Sequence, residues 1–201
     1  MGITAKQFEA MKLRVGGARR TPTPTGTSFV PVAAKAQVIL GVDPSLRGTG
    51  YGIIRPAKPY PQVLAQGTIR CPAAWERSRC LVLIARTLRD LLKKYQPEVC
   101  VVEGLFYAQN LQTALLMGEA RGASLVAVAE AGLEIYEIAP RKMKQAIVGH
   151  GAAQKEAVAK MVQRLLNLPQ APGPDAGDAL ALALTYAQET GRYLLTRPKK
   201  I

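Results

Sequence analysis

Short runs of branched apolar residues alternate along this chain with longer stretches in which apolar positions recur every three or four residues. The run VILGVD at 38–43 is apolar until its last residue, a carboxylate, and it reads as a buried strand. SLRGTG turns the chain, and YGIIR at 51–55 forms a second strand. A connection carrying Pro56, Pro59 and Pro61 leads to a third strand, QVLAQGTIR at 62–70. Leu81, Ile84, Leu88, Leu91 and Tyr95 share one stripe, which predicts a helix over 74–95. VCVV at 99–102 predicts a fourth, buried strand, and Glu103 follows at once. A helix is expected over 109–131, and a fifth strand, EIYEI, over 134–138. Pro140 suits the first turn of a short helix at 140–147. Another helix is expected over 153–166, with Val158, Met161, Val162, Leu165 and Leu166 inward. Pro169, Pro172 and Pro174 stiffen a linker into a last helix over 174–188.

The order βββαβαβα, with extra helices before the last one, predicts an α/β protein. Three sequential strands suggest an antiparallel meander, and the alternation that follows suggests parallel strands, making a mixed five-stranded sheet flanked by helices. The predicted domain is 37–190. Residues 1–36 differ from it: they hold Gly16-Gly17, the run TPTPTGTS and six basic residues against one acid. They read as a flexible basic arm, open to three readings: an organelle presequence, a DNA-contacting arm, or an upstream start site with Met11 as another candidate. The basic end, 191–201, is expected to fray.

The formal net charge of +13 on 201 residues points to a polyanionic partner. Without the arm the balance is still 21 basic residues against 13 acidic, so the charge belongs to the domain. No apolar run reaches the ~18 residues of a membrane span, which favours nucleic acid over a membrane. Cys71, Cys80 and Cys100 show neither zinc spacing nor a disulfide framework, and suit a reduced, cytoplasmic setting. The single histidine, His150, lies between two glycines and reads as a loop residue.

Scarcity makes the acids informative. Of the four aspartates, Asp43, Asp175 and Asp178 sit in apolar or glycine-rich surroundings. Asp43 and Glu103 each end a buried strand, where open α/β sheets form their sites. Two carboxylates there repel and resist burial unless a cation lies between them. Magnesium, an oxygen-seeking ion that retains waters, is the expected partner, with manganese as a substitute. Asp175 and Asp178, three residues apart, share one face of a helical first turn, while Ala176, Ala179, Leu180, Ala183, Leu184 and Ala187 pack on the sheet. First-turn acids also arise simply because the helix dipole favours them. Three or four carboxylates suit two metal ions about 4 Å apart, for in-line attack on phosphorus. Arg141, Lys144 and Lys155 are candidate phosphate clamps, and Phe106 and Tyr107 are candidates for stacking on bases. Solvated helix faces and core packing are the plainer alternatives for these residues.

GVDPSLRGTGYGII at 41–54, VVEGLFYAQNLQTALLMGEARG at 101–122, KQAIVGHGAAQKEAV at 144–158 and DAGDALALAL at 175–184 together resemble the RuvC family of Holliday junction resolvases. The resemblance spans about 37–188 in the family's order and spacing. It implies an RNase H-like fold and a homodimeric, magnesium-dependent endonuclease that resolves four-way DNA junctions. It also implies a branch-migration partner of the RuvA–RuvB kind. It assigns Asp43, Glu103, Asp175 and Asp178 as metal-binding catalytic acids, Phe106 as a base-contacting aromatic, and Lys144 and Lys155 as basic residues near the cleaved phosphate. The position of Asp175 can hold a histidine in the family. Gly104 stands where a larger polar residue is common. A two-fold junction suits a C2 dimer. The helix at 109–131 is apolar on more than one side, through Leu111, Leu115, Leu116, Leu125, Val126 and Val128, and carries the small residues Gly118, Ala120, Gly122 and Ala123. One side is expected to face the sheet and the other a partner subunit. Other readings are a non-catalytic junction- or RNA-binding module, an RNA-processing nuclease on the same core, and an actin-like phosphotransferase, which usually needs two such domains.

Overall fold

β1 (Ile39–Asp43) and β4 (Val99–Glu103) lie side by side at the centre of the sheet because neither has a polar face. Leu40, Val42, Cys100 and Val102 point into one core layer, and Ile39, Val99 and Val101 into the other. The structure, a computed structural model, describes residues 37–104, 110–190 and 198–201. The arm at 1–36 and the candidate aromatics Phe106 and Tyr107 lie outside the described residues.

The strands run in the order β3-β2-β1-β4-β5-β6, with β2 (Gly48–Arg55), β3 (Gln62–Arg70), β5 (Glu134–Ile138) and β6 (Lys199–Lys200). The pairs β1/β2 and β2/β3 are antiparallel, and β1/β4 and β4/β5 are parallel. This is the expected mixed sheet with one addition. The sixth strand belongs to the tail expected to fray: Lys199 and Lys200 pair antiparallel with Glu137 and Tyr136, and Ile201 N–H donates to Ile135. Two residues and a basic composition carry no strand pattern, so only the free edge of β5 explains them.

Helices α1 (Arg77–Tyr95) and α2 (Leu111–Glu130) cover one face, and α3 (Pro140–Val148), α4 (Lys155–Leu165) and α5 (Pro174–Thr190) the other. The inward stripe of α1 is centred on Cys80, Ile84, Leu88 and Leu92, with Leu81, Leu91 and Tyr95 at its margins. The expected two-faced α5 is instead buried on all sides from Ala176 to Tyr186, because α3 and α4 cover the face turned away from the sheet. Among the described residues no helix is long and apolar enough to cross a membrane.

α5 lies unusually close to the sheet. A Cβ on Gly41 would overlap the carbonyl oxygen of Ala179, one on Gly50 the carbonyl oxygen of Asp175, and one on Gly52 would come 2.7 Å from Leu180. Gly41 faces Gly52 across the β1/β2 ladder, and Asp43 faces Gly50. These missing side chains form a trough in which the start of α5 rests beside Asp43.

Candidate metal centre

Parallel pairing sets Val42 beside Val102, so the next residue of each strand, Asp43 and Glu103, emerges at the same end of the sheet. Their carboxyls hydrogen-bond to each other. Burial is the main force on both: it pushes Asp43 up to about 6 and Glu103 up to about 8. For Asp43 the bond from Glu103 works in the opposite direction, whereas for Glu103 the Asp43 charge and that same bond add to the rise. Burial and the mutual repulsion of the two carboxyls thus favour one proton shared between them near neutral pH.

α5 brings the other two acids. Asp178 is buried, and its Oδ2 lies 3.1 Å from Lys155 Nζ at the start of α4. Its charge raises both Asp43 and Glu103. Asp175, one turn earlier and half-buried, adds to the field on Asp43, and its carboxylate borders the space beside Gly48. Burial acts to lower Lys155, but the Asp178 charge and bond, with Asp43 and Asp175, raise it overall.

Among the described residues no three of these acids form a ready-made ligand set. Their chemistry nonetheless fits a divalent cation. The donors are all hard carboxylate oxygens, two of them are held against one another at the cost of retaining a proton, and a third is neutralised by an ammonium. Asp43, Glu103 and Asp178, with Asp175 at the margin, are the residues that would hold it.

The other expected contacts divide. Lys155 joins the acids. Arg141 is exposed and lies across Gly151, and Lys144 is half-buried on α3. Among the described residues neither forms an ion pair with the four acids. Gly104 has a local reason: a Cβ there would stand 3.2 Å from Glu137 Cγ, while its N–H donates to Ile138 at 2.9 Å. Sequence reasoning passed over Arg121 and Glu137, which form a 2.5 Å ion pair directly beneath Glu103. The available signal was a lone arginine in phase with Ala120, Ser124 and Val128 on the buried face of a helix with no other basic residue.

The fold and these strand-end acids define an RNase H-like α/β protein with a carboxylate site at the sheet's edge. The family model described as crossover junction endodeoxyribonuclease RuvC matches residues 39–186, and the chain belongs to that family. A crossover junction endodeoxyribonuclease RuvC from Akkermansia muciniphila is 43% identical over 148 residues, covering 74% of this chain and 89% of that relative. The corresponding protein of Alkalilimnicola ehrlichii is 44% identical over 151 residues, covering 75% and 91%. Thermus thermophilus RuvC, solved in complex with a Holliday junction substrate, superposes with a TM-score of 0.74 at 32% identity, covering 82% of this chain and 99% of that one. The yeast mitochondrial Holliday junction resolvase shares the fold, with a TM-score of 0.59 at 12% identity over 78% and 80%.

Proposed function

We propose that this chain is a divalent-metal-dependent endonuclease that resolves four-way DNA junctions in recombination and repair. The observation that carries the reading is the Asp43–Glu103 pair at the ends of adjacent parallel strands, in a chain of the RuvC family. Asp43, Glu103 and Asp178, with Asp175 beside them, present oxygen ligands at one edge. Lys155 brings a positive charge to the same edge, suited to a phosphate. Magnesium, two ions per site with manganese as substitute, would activate water on one side of the phosphorus and stabilise the leaving oxygen on the other. The Asp43–Glu103 pair would have to give up its shared proton for both carboxylates to serve as ligands. Arg141, Lys144 and Phe106 are proposed to hold the flanking DNA.

The chain is also proposed to act as a homodimer. Leu111, Leu115 and Val126 on α2 are exposed at 77%, 58% and 52%, and the space above Gly118 and Gly122 is open. The spacing 111, 115, 118, 122, 126 is a single helical stripe, apolar at its ends and small in its middle, suited to close approach of a second copy. Two copies about a two-fold axis would set two acidic edges on one junction.

The test is cleavage of a synthetic four-way junction in magnesium by wild type, Asp43→Asn and Glu103→Gln. Paired nicks by wild type, with loss of cutting but retention of binding in both variants, support the proposal. Full activity in either variant, or a wild type that binds junctions but never cuts them, overturns it.

A further inference from the structure

Arg121 is almost wholly buried, at 7% exposure, on a helix with no other basic residue. Burying a guanidinium is costly unless each end of its fork is satisfied. Here one nitrogen, Nη1, donates to the backbone carbonyl of Glu103, and the other, Nη2, lies 2.5 Å from Glu137 Oε2 on β5. Glu137 is steadied in turn by Lys199 of β6, 3.9 Å away.

The place of this clamp matters. The β1/β4 ladder ends at Val42 and Val102, so Glu103 has a register partner only on the β5 side, Ile138. The residue that must present its carboxyl to Asp43 is therefore the first of β4 to lose one of its two neighbouring strands. Arg121 grips the backbone of that residue. At Gly104, the next residue, a Cβ would come 3.2 Å from Glu137 Cγ, a tight contact that glycine avoids.

We infer that Arg121 is a positioning residue: through the Glu103 carbonyl and the Glu137 carboxylate it fixes the end of β4 so that the Glu103 carboxyl is held toward Asp43. This rests on the reading of Asp43 and Glu103 as metal ligands. Groups that orient a ligand are worth ~10–100-fold in metal affinity or activity.

The test separates orientation from stability. Arg121→Lys keeps the charge and the pairing with Glu137, but a single ammonium cannot reproduce the two-armed fork. It is expected to remain folded with a modest loss of melting temperature, smaller than that of Arg121→Met, and to bind a four-way junction normally. Its Mn2+ affinity, read from the free-ion electron paramagnetic resonance signal, and its single-turnover cleavage are each expected to fall ~10–100-fold. Arg121→Met leaves Glu137 without its main partner and lowers the melting temperature. Adding Glu137→Gln removes the unpaired charge and is expected to recover stability while Mn2+ affinity stays low. Wild-type Mn2+ affinity in Arg121→Lys, or recovery of affinity together with stability in the double variant, reduces Arg121 to a structural ion pair and overturns the inference. A wild type that binds Mn2+ but cuts no junction overturns the nuclease reading, while the Mn2+ comparison still judges Arg121. A wild type that binds no divalent ion overturns both.

Discussion

Gly50 and Asp175 touch with no side chain between them: a Cβ on Gly50 would overlap the Asp175 carbonyl oxygen. The first turn of α5 is thereby seated on β2, directly across from Asp43. Gly50→Ala must push this turn away from the sheet or strain it. Overpacking of this kind costs about 1–3 kcal/mol, and about 2–4 °C of melting temperature per kcal/mol in a chain of this size. Because the displaced turn carries Asp175 and Asp178, metal affinity is expected to fall as well. Thermal melts with and without magnesium check both effects. A variant with wild-type stability and metal binding would show that α5 does not depend on this seat.

The acids at the edge make the metal-free protein sensitive to pH. Asp43 and Glu103 titrate in the folded chain at about 6 and about 8, above their ordinary values of 3.8 and 4.5. Over that interval the folded state holds protons that the unfolded state has released, so stability falls as pH rises. The contribution is fully present below about pH 4 and is lost progressively up to about pH 8. Acid effects elsewhere in the chain act separately, so the comparison to make is between wild type and Asp43→Asn/Glu103→Gln. The wild type is expected to lose more melting temperature between pH 5 and pH 8, and saturating magnesium is expected to remove much of the difference. Parallel curves for the two proteins without metal would contradict this.

A related expectation concerns Asp43→Asn alone. It removes a buried charge that repels its neighbours, while the amide can still hydrogen-bond Glu103. In the absence of metal at pH 8 the variant should be more stable than wild type, on the order of 1–2 kcal/mol, although it is expected to be inactive. Chemical denaturation in a chelating buffer measures it. A less stable variant would mean that the Asp43 charge is compensated in the metal-free protein.

These acids were readable in the sequence because their placement is local. Asp43 and Glu103 are each the last residue of an apolar strand, and parallel pairing of the two strands follows from the alternation of elements. The trough that seats α5 was not readable. Gly41, Gly50 and Gly52 have meaning only once the helix is laid over them. All-round burial of α5 likewise comes from α3 and α4, which periodicity within α5 does not reveal. Arg121, Glu137 and the short β6 escaped for the same reason. Each depends on a partner at least 16 residues away along the chain. Local pattern locates the two strand-end acids, and distant contacts determine how they are held.

The outward stripe of α2 predicts a subunit interface that is separable from the metal site. Leu115→Glu places a charge on the exposed apolar stripe, at a side chain 58% exposed and therefore outside the core. Sedimentation is expected to show a dimer for wild type and a monomer for the variant at the same concentration. Mn2+ affinity per chain should change little, whereas paired nicking of a junction should be lost. A monomeric wild type, or a variant still dimeric, places the interface elsewhere.

Lys155 offers a sharper division between binding and cutting. Its ammonium lies 3.1 Å from Asp178 Oδ2, where it competes with a cation for the same carboxylate. Removing it in Lys155→Ala takes away that competitor, so divalent affinity in the absence of DNA is expected to hold or to tighten. The side chain is more than half exposed, so any stabilising contribution of the pair is reduced by solvent screening, and the melting temperature should move little. Cleavage is a different matter. With a metal on Asp178, Lys155 would be, among the described residues, a positive charge beside the acids free to meet the phosphate. Single-turnover cleavage should therefore fall at saturating magnesium even though the metal binds as well as before. Lys155→Arg, which keeps the charge on a longer and more rigid head, should recover part of the rate. If Lys155→Ala instead loses metal affinity and stability together, the lysine serves to hold Asp178 in place, and its role in meeting DNA must be given up.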